Sequence, residues 1–253
     1  MKKTILSAKG LCKSFANNGS QIHILSGLDL DIYEGDFTVI MGASGSGKST
    51  TLYALSGMDR ATAGEVLYNG EDIVKMSEKK LAALRCGDFG FIFQQMHLVS
   101  NLSLFENITV SGYLNKNKSA DEVNKRADEL LEKMGLAKIK KQLPSQCSGG
   151  EQQRCAIARS IINSPKLLFA DEPTGALNRK NTTEVLNLLT ELNKNGQSIL
   201  MVTHDPRAAI RGSRIIYIED GAVVGELELS PYDAEDEKSR ETQINSWLAS
   251  MEW

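Results

Sequence analysis

No feature of this chain narrows its fold as sharply as one stretch of nine residues, Gly42-Ala43-Ser44-Gly45-Ser46-Gly47-Lys48-Ser49-Thr50. It satisfies G-x-x-x-x-G-K-[ST] at every fixed position, in the surroundings that pattern needs. Before it, Asp36-Phe37-Thr38-Val39-Ile40-Met41 is a short apolar run that stops at glycine, as a buried strand would. After it, Leu52 and Leu55 begin an apolar helix face. Such a loop turns successive backbone N–H groups toward one polyphosphate, and glycines permit the positive φ and the close approach. The helix behind adds its positive N-terminal end. Gly42, Ala43, Ser44, Gly45, Ser46, Gly47, Lys48, Ser49 and Thr50 are therefore the candidate phosphate-binding residues. Lys48 is placed to reach the β- and γ-phosphates, and the Ser49 hydroxyl to coordinate Mg2+.

Two further apolar runs, Lys166-Leu167-Leu168-Phe169-Ala170 and Ser198-Ile199-Leu200-Met201-Val202, read as buried strands. Between them Val185, Leu186, Leu188, Leu189 and Leu192 recur at helical spacing. Strand, helix, strand in that order predicts a parallel sheet with crossover helices. The first 40 residues read as β-rich, with Leu25 to Ile32 alternating apolar and polar. From Ser77 to about Glu151 the pattern is mostly helical, apart from a strand at Gly90-Phe91-Ile92-Phe93. Ser119-Ala120-Asp121-Glu122 is a capping box, followed on one face by Val123, Ala127, Leu130, Leu131 and Met134. The tail after Ser230 is polar and acidic, then closes with Ile244, Trp247, Leu248 and Met251 on one helical face.

Composition removes several classes. Lys and Arg number 29 against 32 Asp and Glu, a formal net charge of −3. No broad positive field results, so nucleic acid is not an expected partner. Cys12, Cys86, Cys147 and Cys155 lie far apart with no C-x-x-C pair, which predicts free thiols in a reducing compartment. Thr4-Ile5-Leu6 is too short for a signal sequence, and no run approaches the roughly 18 apolar residues of a membrane span. The expectation is a cytoplasmic protein whose membrane role comes through a partner.

The second half carries the chemistry that a phosphate loop alone does not specify. Asp171 and Glu172 close an apolar strand. Asp171 is placed to hold Mg2+ directly or through water. Glu172 projects differently and can take a proton from an attacking water. Cys147-Ser148-Gly149-Gly150-Glu151-Gln152-Gln153-Arg154 opens a helix on bare N–H donors, a second anion site in the chain. Taken alone, Ser148 could be only an N-cap on a loop.

In this order the phosphate loop, the Ser-Gly-Gly turn and the Asp-Glu strand resemble the nucleotide-binding subunits of ATP-binding-cassette transporters, over residues 5–228. The smaller motifs of that family are present too. Gln94 matches its glutamine that senses Mg2+ and water. His204, in Val202-Thr203-His204-Asp205, matches its switch histidine at the γ-phosphate. Phe15, in Lys13-Ser14-Phe15, matches the aromatic that stacks on adenine. The resemblance implies ATP and Mg2+ as ligands, ATP hydrolysis, and a head-to-tail dimer of two copies. In it, Ser148, Gly149 and Gly150 of one chain grip the ATP on the other's phosphate loop. It also implies an integral-membrane permease that the dimer drives from the inner face of the membrane. The expected fold is α/β: a P-loop NTPase core with a mostly parallel sheet, an N-terminal antiparallel β-subdomain and an inserted helical subdomain at about 96–147. The ATPase domain would span 1–229, and an acidic tail with a short amphipathic helix 230–253.

Three positions depart from the family pattern: Cys147 for leucine, Glu151 for glutamine and Asn178 for aspartate. The spacing around Gln94, with Leu84-Arg85 before it and Leu102 to Ile108 after it, resembles the motors of lipoprotein release, macrolide efflux, cell division and antimicrobial-peptide resistance. The tail from Ser246 to Trp253 is most similar to the last of these. Met96, Leu98, Val99, Leu102 and Phe105 are the candidate surface for the permease. A GTPase would want Asn-Lys-x-Asp, which Asn124-Lys125-Arg126-Ala127 does not supply. A soluble cassette ATPase acting on DNA or ribosomes is the other alternative, and only Lys133, Lys138, Lys140 and Lys141 offer it a basic patch.

Overall fold

The computed structural model describes residues 2–17 and 20–251. Glu252 and Trp253, which belong to the tail resemblance, lie outside the described residues. Strands β1 (Thr4–Asn17), β2 (Ser20–Tyr33) and β3 (Phe37–Met41) lead into helix α1 (Lys48–Leu55), followed by β4 (Ala63–Tyr68) and β5 (Glu71–Asp72). Then come α2 (Glu78–Gly87), β6 (Phe89–Phe93), α3 (Leu104–Tyr113), α4 (Ala120–Lys133) and α5 (Gly149–Ile161). The chain continues with β7 (Leu167–Asp171), α6 (Arg179–Lys194), β8 (Ser198–Val202), α7 (Pro206–Ala209), β9 (Arg214–Glu219), β10 (Ala222–Glu228) and α8 (Glu237–Ser250). Two compact units result, one of Met1–Leu81 with Thr190–Trp253, the other of Ala82–Leu189.

The first unit holds two sheets. The antiparallel one runs β2-β1-β4-β5, and in the other β3 lies between β8 and β9, parallel to both, with β10 antiparallel on β9. All five residues of β3 and all five of β8 are buried. That is why these strands read as unbroken apolar runs: a strand covered on both faces has no polar side to alternate with. The two sheets meet at Gly221, whose carbonyl accepts from Ser26 N at 3.2 Å. Its φ is +76°, and a Cβ there would lie 2.1 Å from the Ile24 carbonyl oxygen, so only glycine fits.

The C-terminal helix packs on this unit. Ile244 and Leu248 of α8 are buried, and Trp247 meets Tyr217 edge-on with ring centroids 6.5 Å apart. Met251 lies against Gly225, where a Cβ would come within 2.9 Å of its Cε. The apolar face read from the tail's spacing is thus the docking face. The helix begins earlier than that face, at Glu237, and its first turns carry a residue the pattern does not flag. Arg240, only 3% exposed, donates to the carbonyls of Ile210, Gly212 and Ser230. Its guanidinium and that of Arg211 both lie over the Tyr232 ring, at 5.6 and 4.2 Å.

In the second unit β6 and β7 run parallel, from Phe89 opposite Leu167 to Phe93 opposite Asp171. The expected capping box at Ser119 and Glu122 starts α4, and Val123, Ala127, Leu130, Leu131 and Met134 are all buried. The same device starts α3 at Ser103 and Glu106 and α5 at Ser148 and Glu151. α3 and α4 approach closely at Gly112, where a Cβ would sit 2.5 Å from Val123 Cγ1. The four cysteines are free thiols. Burial pushes the Cys155 thiol up to about 12 and the Cys147 thiol up as well, so neither is a reactive thiolate.

Candidate active site

In the first unit the phosphate loop and His204 leave neighbouring strand ends. β3 and β8 pair in parallel through Ile40 opposite Val202, and Thr203 N donates to the Ile40 carbonyl at 3.1 Å. Residues 42–50 and His204 therefore emerge at the carboxyl edge of the same sheet, where open α/β folds bind ligands. Gly47, at φ +98°, is the N-cap of α1. Its carbonyl accepts from both the backbone N (2.8 Å) and the hydroxyl (2.9 Å) of Thr51. At Gly42, φ +153°, a Cβ would lie 2.1 Å from the Ile218 carbonyl oxygen and 2.6 Å from Ser46 Oγ. The Lys48 ammonium donates to the carbonyls of Gly42 at 2.8 Å and Ala43 at 2.6 Å, which folds the lysine across its own loop. Ser46 Oγ is buried without a hydrogen-bonding partner in the protein. An orphaned buried hydroxyl costs about 1–3 kcal/mol, and phosphate oxygens are acceptors that would relieve it. Phe15 lies on β1, 44% exposed, with the Lys13 ammonium 4.6 Å from its ring centre.

In the second unit the register Phe93 opposite Asp171 puts Gln94 and Glu172 at adjacent strand ends. Asp171 is 8% exposed. Glu172 has φ +46°, a left-handed backbone that costs a non-glycine residue on the order of 1–3 kcal/mol. Its carbonyl accepts from Gly175 N at 3.0 Å. Gly175 in turn presses on Gln94, since a Cβ there would lie 2.8 Å from Gln94 Nε2. The fold thus gathers Gln94, Asp171 and Glu172 into one cluster.

Gln153 is the residue of this cluster that sequence reading passed over. It is fully buried on α5, and its Nε2 donates to the Pro173 carbonyl at 2.8 Å and the Phe93 carbonyl at 3.3 Å. The available signal was its position: Gln153, Ile157 and Ile161 recur every four residues, so a polar side chain stands in the apolar stripe of α5.

Ser148 is the N-cap of α5, with Gly149 and Gly150 its first helical residues. The Glu151 carboxylate accepts from both the hydroxyl and the backbone N of Ser148, each at 2.7 Å. The hydroxyl first and the N–H second hold its pKa below the usual carboxylate range. The departure at Glu151 therefore completes a capping box. The departure at Asn178 is similar in kind, because Asn178 Oδ1 accepts from Asn181 N at 3.0 Å, as an aspartate would. The Asn181 side chain fills the space beside Gly150, within 2.7 Å of where a Cβ would stand. The phosphate loop, His204 and Phe15 belong to the first unit, and Gln94, Ser148 to Gly150, Asp171 and Glu172 to the second.

Comparison with known proteins shows the family and the fold. The family described as "ABC transporter" matches residues 25–175. The macrolide export ATP-binding/permease protein MacB of Bradyrhizobium diazoefficiens is 42% identical over 226 residues, 89% of this chain and 34% of that protein. MacB of Wolinella succinogenes is 43% identical over 223 residues, 88% of this chain and 34% of that protein. The chain thus spans about a third of the length of these relatives, and among the described residues no helix is long and apolar enough to cross a membrane. A solved dimeric post-hydrolysis state of the ATP-binding cassette MJ0796, bound to ADP and Pi, superposes with a TM-score of 0.82 at 37% identity. It covers 90% of this chain and 100% of that one. Family match, shared cassette fold and the ordered site segments lead to one conclusion: the chain belongs to the ABC transporter family and is an ATPase cassette of it.

Proposed function

We propose that two copies of this chain close head-to-tail around two MgATP and that hydrolysis reopens them, a stroke that drives a membrane permease. The observation that carries the hydrolytic half is the Phe93–Asp171 register, which sets Gln94, Asp171 and Glu172 at one strand end. Glu172 accepts a proton from water as its oxygen attacks the γ-phosphorus. The bond from that phosphorus to the β-phosphate oxygen breaks, and ADP and inorganic phosphate leave. Lys48 and the loop N–H groups hold the phosphates, Ser148 to Gly150 of the second copy close on the γ-phosphate, and His204 holds it from the loop side. Ser49, Gln94 and Asp171 are the residues that would hold Mg2+. A hydroxyl and a single carboxylate suit an ion that keeps waters and phosphates as its other ligands. When bound, Mg2+ supplies neutralisation of phosphate charge.

In this reading the ATPase domain spans 1–229 with its helical subdomain at about 96–147, and the tail is 230–253, whose helix α8 packs on the first unit. The permease contact would be the segment after Gln94. Arg159 donates to the carbonyls of His97 at 2.7 Å and Met96 at 2.6 Å, and Asn107 holds both the N–H and the carbonyl of Val99. A shaped loop results on which Met96, Leu98, Val99 and Leu102 keep some exposure, as does Phe105 in the first turn of α3. MacB relatives carry ATP-binding and permease parts in one chain, which supports a permease partner and a place at the inner membrane face.

Mixing two inactive variants tests the shared site. Lys48→Ala removes the phosphate-loop lysine. Gly149→Asp sets a carboxylate at the start of α5, where a Cβ would meet only Leu177 Cδ2 at 3.7 Å and need not disturb the fold. Each variant alone should be inactive, whereas an equimolar mixture should recover up to about a quarter of wild-type ATPase. Half the dimers would then be mixed, with one of two symmetric sites intact. A mixture as inactive as its components would sink the head-to-tail site.

Base recognition gives a smaller effect. Stacking on Phe15 uses a face that every purine presents, so GTP should compete within roughly tenfold of ATP, about 1.4 kcal/mol. A preference above about a thousandfold in nucleotide competition would require edge contacts to the base instead.

A further inference from the structure

We infer that Gln153 is a positioning residue that ties the Ser148 helix to the hydrolytic cluster and so sets the turnover step without contributing to nucleotide binding. This rests on the function proposed above. Gln153 lies on α5, the helix that Ser148 caps, and none of its surface is exposed. Its single amide nitrogen bridges two backbone carbonyls from different elements. One belongs to Phe93, the residue before Gln94, at 3.3 Å; the other to Pro173, the residue after Glu172, at 2.8 Å.

Three features make this bridge specific. Both partners are carbonyl oxygens, so only the NH2 end of the amide can face them, and the side-chain orientation is forced. The oxygen end, Gln153 Oε1, is buried with no hydrogen-bonding partner. A chain selected for stability alone would gain by removing such an atom. The neighbours on α5 are Cys155, Ala156, Ile157 and Ala158, all buried, so an apolar side chain would be at home at this position. The amide therefore joins the residues beside Gln94 and Glu172, through the Phe93 and Pro173 carbonyls, to the helix that carries Ser148. A shift of α5 when a second copy closes on Ser148 moves both carbonyls together. Displacements of about 1 Å at a reacting centre cost on the order of a hundredfold in rate.

The experiment uses full-length Gln153→Met, which keeps an unbranched chain of similar length without a donor, and Gln153→Leu as a second apolar replacement. Nucleotide affinity is read with fluorescent ATP, turnover by phosphate release, and dimers by light scattering. In at least one folded variant kcat should fall roughly 10–100-fold while the Kd for MgATP stays within about twofold of wild type. MgATP should also accumulate dimers in that variant, because closure precedes the step that is slowed. Turnover within about twofold of wild type in both variants overturns the inference. So does a loss of turnover matched by an equal loss of nucleotide affinity, or by absence of the dimer. So does failure of both variants to fold, which would make the bridge a structural element. Glu172→Gln, run alongside, separates the two ideas: if it is inactive while the Gln153 variants are not, the hydrolytic reading stands and only the bridge fails.

Discussion

Glu172→Gln should lower ATP turnover by roughly 10²–10⁴-fold, the usual contribution of a general base, while leaving nucleotide binding intact or tighter. The substitution keeps the size of the side chain and its capacity to hydrogen-bond, and removes only the proton acceptor and its charge. With that charge gone, γ-phosphate suffers less repulsion at the end of β7. With hydrolysis stalled, MgATP should accumulate dimers in gel filtration and ADP should not. Asp171→Asn should differ. On the metal role proposed for Asp171, it should weaken Mg2+ binding and yield no stable MgATP dimer. Near-wild-type hydrolysis by Glu172→Gln would move the base elsewhere, with the His204 imidazole the next candidate by its chemistry.

The second large effect lies far from the phosphate loop. Arg240→Ala should destabilise the fold by about 3–5 kcal/mol, because it strips a donor from three carbonyls at once and each buried orphan costs about 1–3 kcal/mol. The carbonyls are those of Ile210, Gly212 and Ser230. Burial already depresses the Arg240 pKa from its ordinary value, a sign that its surroundings are dry. At roughly 2–4 °C per kcal/mol for a chain of this size, the melting temperature should drop by about 10 °C. Truncation after Pro231 removes Arg240 together with Ile244 and Leu248 and should do at least as much harm. Arg240→Lys should fall between, since one ammonium cannot span three carbonyls as a planar fork does. A calorimetric midpoint for Arg240→Ala within about 2 °C of wild type would show that α8 is an ornament on the unit.

What could be read from the chain alone follows from the range of the forces involved. β3, β7 and β8 were legible because burial on both faces writes itself as a continuous apolar run. The phosphate loop was legible because its glycines and lysine must stand at fixed spacing. The start of α4 was legible because a capping box is closed within four residues. By contrast, Gln153 and Arg240 act on carbonyls 20 to 60 and 10 to 30 residues away, and no local pattern records such partners. Phe15 would pass for a core residue, yet it is exposed. The register of β1 shifts between Ala8 and Leu11 and again on either side of Lys13, so which face a residue takes cannot be counted from the start of the strand. The left-handed backbone at Glu172 was equally invisible, since glutamate gives no hint of it.

That last feature puts two qualities of the protein in opposition at a single codon. Glycine adopts a φ of +46° freely and glutamate does not. Replacing Glu172 by glycine would therefore release backbone strain and, on the role proposed above, remove the proton acceptor in the same change. A laboratory screen that rewards heat resistance without assaying ATP consumption would be drawn toward that substitution. On the role proposed for Glu172, it would return a protein that binds nucleotide but no longer hydrolyses it. Thermostabilising this cassette means holding position 172 fixed and seeking gains in the capped helices and around α8 instead.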